Sequence, residues 1–452
     1  MKVIKRDGRA VDYDRQKISI AIGKANKEVQ IADQANQEEI NSIMEYIENL
    51  DKKRMLVEDI QDIIEEKLME INKYKLAKKY IVYRYKRALI RKQNTTDESI
   101  LGLIRNENNI IAQKNFNSQI TAGIQRAYIA NEVSKDLTRR LLLPDKITKA
   151  EEKGALYFHD SDYFIQPIIN SSIINIKDML ENGTVVNGIK LDSPNDFRQA
   201  CSNLFQIISS LSGNQYGDIL VNIETLGKYL NKTKKLFKLM WNDELAMCIN
   251  MLFTQLCTQI SSNGNVTQVK FIFNPNSNDE FINENIEIYK EILKCKEKLS
   301  IKNNINLIYP KIAYVINKDN SLNGGKFDNI TNLTIESPLN IKLLKFDNKV
   351  YSTYFNQGKV TINLPQIAIE TKYNKAEFWE NLKDRLDLCK EALMCKHYAL
   401  LGAPSNISPL HWQYGAISRL SKDEKINSLL YKETSTLTLG FTRIKRSCSS
   451  NT

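Results

Sequence analysis

Eight consecutive residues without an apolar side chain, Arg91-Lys92-Gln93-Asn94-Thr95-Thr96-Asp97-Glu98, divide this chain into two parts that must fold around separate cores. No second polar break of that quality occurs between residue 99 and residue 452. The expected organisation is a small unit over 1–92, a linker at 93–98, a large domain over 99–440 and an unstructured tail over 441–452.

The small unit reads as strand, turn and helices. Lys2-Val3-Ile4-Lys5 predicts a short strand, Asp7-Gly8 a tight turn, and Ala10-Val11-Asp12-Tyr13 a returning strand. Asp14 is placed to cap a helix whose apolar positions, Ile18, Ala21, Ile22, Ala25 and Val29, share one face. Further helical patterns run through Ile40, Ile43, Met44 and Ile47, through Val57, Ile60, Ile64 and Leu68, and from Leu76 past Tyr80 and Tyr83 toward Arg87. The large part mixes helical patterns, such as Phe197 to Leu211, with β-rich runs at Val269–Phe273, Ile312–Ile316 and Val360–Leu364. Strands separated by long helical stretches predict an α/β domain with crossover connections.

Composition narrows the class. Hydrophobic residues make up 42% and charged residues 26%, a globular profile. No apolar run approaches the ~18–20 residues needed to span a bilayer, and Met1 to Gly8 lacks an apolar signal core, so the expectation is cytoplasmic, with no membrane partner. A net charge of +11 fits either a phosphate-bearing partner or charge spread over solvated faces. No long Lys/Arg run appears without interleaved acids, so no nucleic-acid partner is expected. Seven cysteines at irregular spacing, with no Cys-x-x-Cys pair, argue against a disulfide framework and against a zinc or iron–sulfur site. His159, Asp160 and Asp162 lie too close together in sequence to close a coordination shell, so no metal is expected in this chain.

Lys5 and Arg6 stand where a strand enters a turn, and Lys17 lies in the first turn of the next helix. Cations there run against the helix dipole unless an anion is held among them, and phosphate suits such a place. Solvated surface cations are the alternative. The order Val3-Ile4-Lys5-Arg6-Asp7-Gly8-Arg9-Ala10-Val11-Asp12-Tyr13-Asp14, with Lys17-Ile18 following, resembles the opening of an ATP-cone domain. Val57 to Asp62, Glu65 to Met69, and Tyr80 to Arg84 with Arg87 resemble its later helices. The resemblance implies ATP or dATP as an allosteric effector, held by Lys5, Arg6 and Lys17. Tyr80 and Tyr83 are read as core.

Behind the cone, Tyr157 to Tyr163, Asn170-Ser171-Ser172, Asn175 to Thr184, Ser193-Pro194 and Asn214-Gln215-Tyr216-Gly217 follow in order. Pro310-Lys311, Phe355-Asn356-Gln357-Gly358 with Thr361 to Leu364, and Trp412 to Ala416 with Arg419-Leu420 continue the series. Together they resemble the large chain of the anaerobic (class III) ribonucleoside-triphosphate reductases. That resemblance implies an incomplete ten-stranded α/β barrel of the glycyl-radical type. It implies ribonucleoside triphosphates as substrates, formate as reductant, an activating radical-SAM enzyme, and a homodimer or association with a reductase chain. Asn356, Gly358 and Asn363 are candidates for the substrate pocket, with a turn leading into a buried strand as the other reading.

The family's radical chemistry needs a thiol on an early strand and another on a loop inside the barrel. Ser171 stands at the first position, and Ile312 to Tyr354 contains no cysteine. Tyr354 stands where the family commonly has Arg. The resemblance ends after Leu439-Gly440-Phe441, short of the zinc site and the glycyl-radical loop it implies. The expectation is a diverged or truncated copy, inactive as a single chain, with an ATP/dATP-sensing binding module as the alternative.

Overall fold

The computed structural model describes residues 2–4, 10–50, 54–85, 100, 122–261, 266–276, 278–316, 327–339, 341–345 and 353–442. The chain forms two compact units, Met1–Leu101 and Gly102–Thr452. The linker expected at 93–98 lies outside the described residues, as do Lys5, Arg6, Gly8 and Arg87.

Among its described residues the first unit has a three-stranded sheet and four α-helices. β1 (Lys2–Ile4) is central; β2 (Ala10–Asp12) pairs with it antiparallel and β3 (Arg54–Leu56) parallel. Asp14 caps the helix Arg15–Asn26 by accepting from the Gln16 amide at 3.0 Å. Asn36 and Glu39 form a reciprocal capping box at the start of Gln37–Glu48. The helix Val57–Glu70 and a helix over 74–85 complete the unit. Ile22, Ile47, Ile64, Leu68 and Leu76 are almost completely buried between them, each worth about 1.5–3 kcal/mol in removal from water. Tyr80 belongs to this core, and burial pushes its phenol pKa up.

The second unit is built on an eight-stranded sheet. Five strands, β5 (Ser171–Ile173), β8 (Ile219–Asn222), β9 (Val269–Phe273), β10 (Lys311–Ile316) and β11 (Ile341–Lys345), run parallel in that spatial order. β12 (Tyr354–Ile362) pairs antiparallel with β5 and with β4 (Leu156–Phe158), and parallel with β13 (Ser435–Phe441). Two oppositely running parallel sets therefore meet at the β5–β12 seam. A separate hairpin pairs β6 (Thr184–Val186) with β7 (Ile189–Leu191). The described residues supply eight strands to the main sheet, where the sequence reading expected part of a ten-stranded barrel.

Helices pack on one face of this sheet. Ile219, Val221, Val269, Phe271, Phe273, Ile312 and Tyr314 point into the core made with the helices Phe197–Leu211, Trp241–Thr258 and Ile282–Asn303. Strand alternation sends Leu220, Ile272, Ala313, Val315 and Leu344 to the other face, where they form a small separate cluster. Residues 441 and 442, expected in the tail, are instead bonded to the sheet: Phe441 of β13 pairs with Ile362, and the Thr442 amide donates to the Ile362 carbonyl at 3.2 Å, while residues 443–452 lie outside the described residues. Backbone pairing, which hydropathy does not report, carries the strand past Gly440.

Candidate functional site

In the first unit, Lys17 follows the capping residue Asp14 by three positions and its Nζ lies 3.3 Å from that carboxylate. Its side chain is exposed. Since Lys5 and Arg6 lie outside the described residues, only Lys17 of the three nucleotide candidates is placed. Sequence reading assigned no role to Arg84, which has three carboxylate partners. Arg84 reaches Glu58 at 2.6 Å, Asp62 at 2.5 Å and Glu65 at 3.0 Å, and so clamps the helix 74–85 to Val57–Glu70.

In the second unit, the face of the sheet opposite its packed helices, helix-free among the described residues, gathers polar groups at the β5–β12 seam. Ser171 stands directly opposite Asn356 in the antiparallel register. Asn356 is buried, and its Nδ2 donates to Thr438 Oγ1 at 2.6 Å and to Thr436 Oγ1 at 3.3 Å on β13. Its Oδ1 is buried and, among the described residues, accepts no hydrogen bond, an unspent acceptor beside Ser171. Period-2 alternation carries this face to Lys270, Lys311 and Lys342 on β9, β10 and β11.

The other two pocket candidates serve packing and capping. Gly358 follows a bulge between Asn356 and Gly358, on the helix-covered side of β12. A Cβ there would sit 2.0 Å from Cδ of Lys396. Asn363 caps the helix Leu364–Glu370, accepting from the Gln366 amide at 3.4 Å while donating to the Gly154 carbonyl at 2.9 Å. Both ends of its amide are thus engaged away from the seam.

Lys396 is a buried ammonium that sequence reading did not find, because it lies in a helical run of ordinary composition (Lys375–Leu400). It donates to the His159 carbonyl at 2.7 Å and lies 4.0 Å above the Phe158 ring. Burial lowers its pKa to about 8, against the opposing pull of Asp160 and Asp162. Burial also raises the Asp160 carboxyl to about 6, with Lys396 opposing and Asp162 adding to the rise. His159 bonds the Thr361 hydroxyl at 2.7 Å, and burial with Lys359 and Lys396 nearby lowers its pKa to about 4. These are side chains spent on internal bonds; no group of three His, Cys, Asp or Glu placed to hold a metal occurs among the described residues.

Six cysteines are described, all as free thiols in helices: Cys201, Cys248, Cys257, Cys295, Cys389 and Cys395. Cys201, Cys248, Cys295 and Cys389 are buried in the cores on the helix-covered side of the sheet. Desolvation raises the thiol pKa at each of the six, which disfavours thiolate. Residues 346–353, which join β11 to β12, contain no cysteine. Cys448 lies outside the described residues.

Among the described residues, no helix is long and apolar enough to cross a membrane. The sequence profile described as "ATP cone domain" matches residues 1–89, and the one described as "Anaerobic ribonucleoside-triphosphate reductase" matches residues 114–449. The chain is 26% identical to the anaerobic ribonucleoside-triphosphate reductase of Haemophilus influenzae, an alignment covering 97% of this chain and 69% of that protein. Against the Escherichia coli enzyme of the same name the identity is 25%, covering 97% and 68%. Among solved structures, one titled "Anaerobic ribonucleotide reductase" superposes with a TM-score of 0.56 at 14% identity, covering 80% of this chain and 66% of that one. The Thermotoga maritima enzyme in complex with dATP and CTP gives a TM-score of 0.52 at 14% identity, covering 72% and 58%. The chain thus spans 58% to 66% of these solved chains, and the likeness shows a shared fold. The profile match over most of its length places this chain in the anaerobic ribonucleoside-triphosphate reductase family.

Proposed function

We propose that this chain is the effector-sensing and substrate-holding part of an anaerobic ribonucleotide reductase, and that it does not reduce ribonucleotides by itself. ATP or dATP occupies the cone, with its phosphates against Lys5, Arg6 and Lys17. A ribonucleoside triphosphate occupies the helix-free face at the β5–β12 seam, where the unspent Asn356 Oδ1 takes a ribose hydroxyl. Radical exchange with a ribose carbon requires a thiol, since a serine O–H bond is too strong to take part. The observation that carries the reading is the placement of thiols. Ser171 faces Asn356 across the seam, while the six described cysteines all lie in helices. Catalysis then requires thiols supplied by an associated reductase chain, with an activating radical-SAM enzyme acting on that partner.

The test is anaerobic incubation of the chain with a family activating enzyme, S-adenosylmethionine, formate and each ribonucleoside triphosphate, beside equilibrium binding of the same nucleotides. Binding without deoxynucleotide above the no-protein control is the expected result. Deoxynucleotide formed by the chain alone defeats the proposed incapacity, and failure to bind any nucleotide defeats the reading as a whole.

A further inference from the structure

A second polar region lies at the opposite end of the first strand set, away from the seam. A cavity of about 930 Å³ opens at the N-terminal ends of β9, β10 and β11 and is walled by the last turns of the helix Ile282–Asn303 and the chain that follows it. Four lysines line it, Lys270, Lys296, Lys311 and Lys342, against two acids, Asp218 and Glu297.

The lysines sit where a sheet designed only for stability would not put them. Lys270 and Lys311 are direct partners in the parallel β9–β10 register, and Lys342 lies one strand further along on β11. Like charges on adjacent strands repel. Asp218 answers two of them, with Lys270 Nζ at 2.9 Å and Lys311 Nζ at 3.2 Å. Burial works to raise the Asp218 pKa, but these two cations outweigh it and hold the carboxyl below its ordinary value. Tyr309 also donates to Asp218 at 3.1 Å, so this carboxylate is already shared among three donors.

Among the described residues, no carboxylate lies within 4 Å of the ammonium of Lys296 or of Lys342, whereas Lys270 and Lys311 share Asp218. Lys296 is 5% exposed, and among the described residues its Nζ makes one hydrogen bond, to the Pro310 carbonyl at 2.7 Å. An ammonium has three protons to donate, so two remain for a guest in the cavity it lines. Burial, with Lys311 nearby, depresses its pKa to about 8, as expected of a cation lacking a compensating anion.

We propose that this cavity binds an anion carrying two or more linked phosphates. One phosphate cannot touch the whole row, because Lys270, Lys311 and Lys342 spread over two strand spacings, roughly 10 Å. Lysine ammonium groups bind phosphate as compact point charges with three rotatable donors each, and a row of them suits a flexible phosphate chain. The linked phosphates come either from a free polyphosphate or from the tail of a nucleotide. The site stands on the cavity and its charges, and does not depend on the reductase reading.

The test is calorimetric titration of the full chain with sodium tripolyphosphate, pyrophosphate, and ATP, each at two salt concentrations. The same titrations are run on Lys311→Gln, Lys342→Gln and, to silence the cone, the double variant Lys5→Ala/Arg6→Ala. The substituted lysines of the cavity are partly or fully exposed, so these variants are expected to fold, which a circular-dichroism melt checks. Tripolyphosphate affinity should fall about tenfold or more in Lys342→Gln, fall further in Lys311→Gln, weaken with salt, and persist in the cone variant. ATP binding that survives in the cone variant but falls in Lys342→Gln assigns a nucleotide tail as guest; tripolyphosphate binding alone assigns free polyphosphate. Absence of tripolyphosphate and pyrophosphate binding at millimolar concentration overturns the proposal. So does binding that is lost only with Lys5 and Arg6.

Discussion

Gly358 carries a packing constraint that can be measured directly. In Gly358→Ala the added Cβ would lie 2.0 Å from Cδ of Lys396, 3.0 Å from its Cγ and 3.1 Å from its Cβ. A flexible lysine on a surface would step aside at little cost. Lys396 is 2% exposed, its Nζ is tied to the His159 carbonyl at 2.7 Å, and its ammonium rests over the Phe158 ring. Two costs follow. Overpacking of a filled core is worth about 1–3 kcal/mol. If the lysine is pushed out, the charged hydrogen bond it loses adds roughly 1.5–3 kcal/mol. Gly358→Ala should therefore destabilise the second unit by about 2–5 kcal/mol. Urea unfolding followed by tryptophan fluorescence reads this out, because Trp412 lies in the adjoining core against Phe355, with ring centroids 5.4 Å apart. The decisive measurement is the double variant Gly358→Ala/Lys396→Ala. Truncating the lysine removes the obstructing atoms, so the pair should be more stable than the two single effects added together, by about 1 kcal/mol or more. Strict additivity would refute the steric argument and leave the loss to backbone effects at the bulge.

Lys296→Met removes a buried cation whose pKa is lowered from 10.5 to about 8, and should stabilise the chain by up to about 3 kcal/mol below pH 8. Between pH 8 and 10.5 the unfolded chain keeps a proton there that the native chain has lost, so the wild type gains stability as pH rises and the advantage of the variant should vanish; denaturation at pH 7 and pH 10 checks this. In the cone, Lys5→Ala/Arg6→Ala should weaken ATP binding by about 1.5–3 kcal/mol per lost charge-assisted contact, and calorimetry with unchanged affinity would remove those residues from the nucleotide site.

The small unit was largely legible in the sequence because its determinants are local. The Asp14 cap, the stripe Ile18, Ile22 and Ala25, and the buried faces at Ile40, Ile43 and Ile47 and at Ile60, Ile64 and Leu68 are each fixed by spacing within one helix. Ser171 and Asn356 were singled out from separate motifs, and pairing across the β5–β12 seam puts them opposite each other. Motif order identified the two residues, but their contact depends on a strand register that no local pattern encodes. Gly358 and Asn363 show the converse limit. Each stands in the same motif as Asn356, but a bulge and a strand end direct them to a lysine stem and a helix cap. Lys270 was visible inside an apolar strand run, yet its meaning depends on Lys311, Lys342 and Lys296 arriving beside it from far along the chain.

The two buried lysines separate structural cost from site. Lys296 and Lys396 have much in common: both are nearly inaccessible, both donate 2.7 Å to a backbone carbonyl, and both have pKa values lowered to about 8. A low pKa therefore does not distinguish a ligand-binding cation from a packed one. Their surroundings do. Lys396 spends its charge internally, on the Phe158 ring and within the field of Asp160 and Asp162, and its stem occupies the space that Gly358 leaves. Lys296 lines a cavity, has Lys311 nearby, and is the most buried of four cations of which Asp218 pairs with two, Lys270 and Lys311. Removing Lys396 should disturb packing and leave phosphate binding alone. Removing charge around Lys296 should do the reverse, and that contrast makes the lysine row, rather than burial or pKa, the feature that points to a ligand.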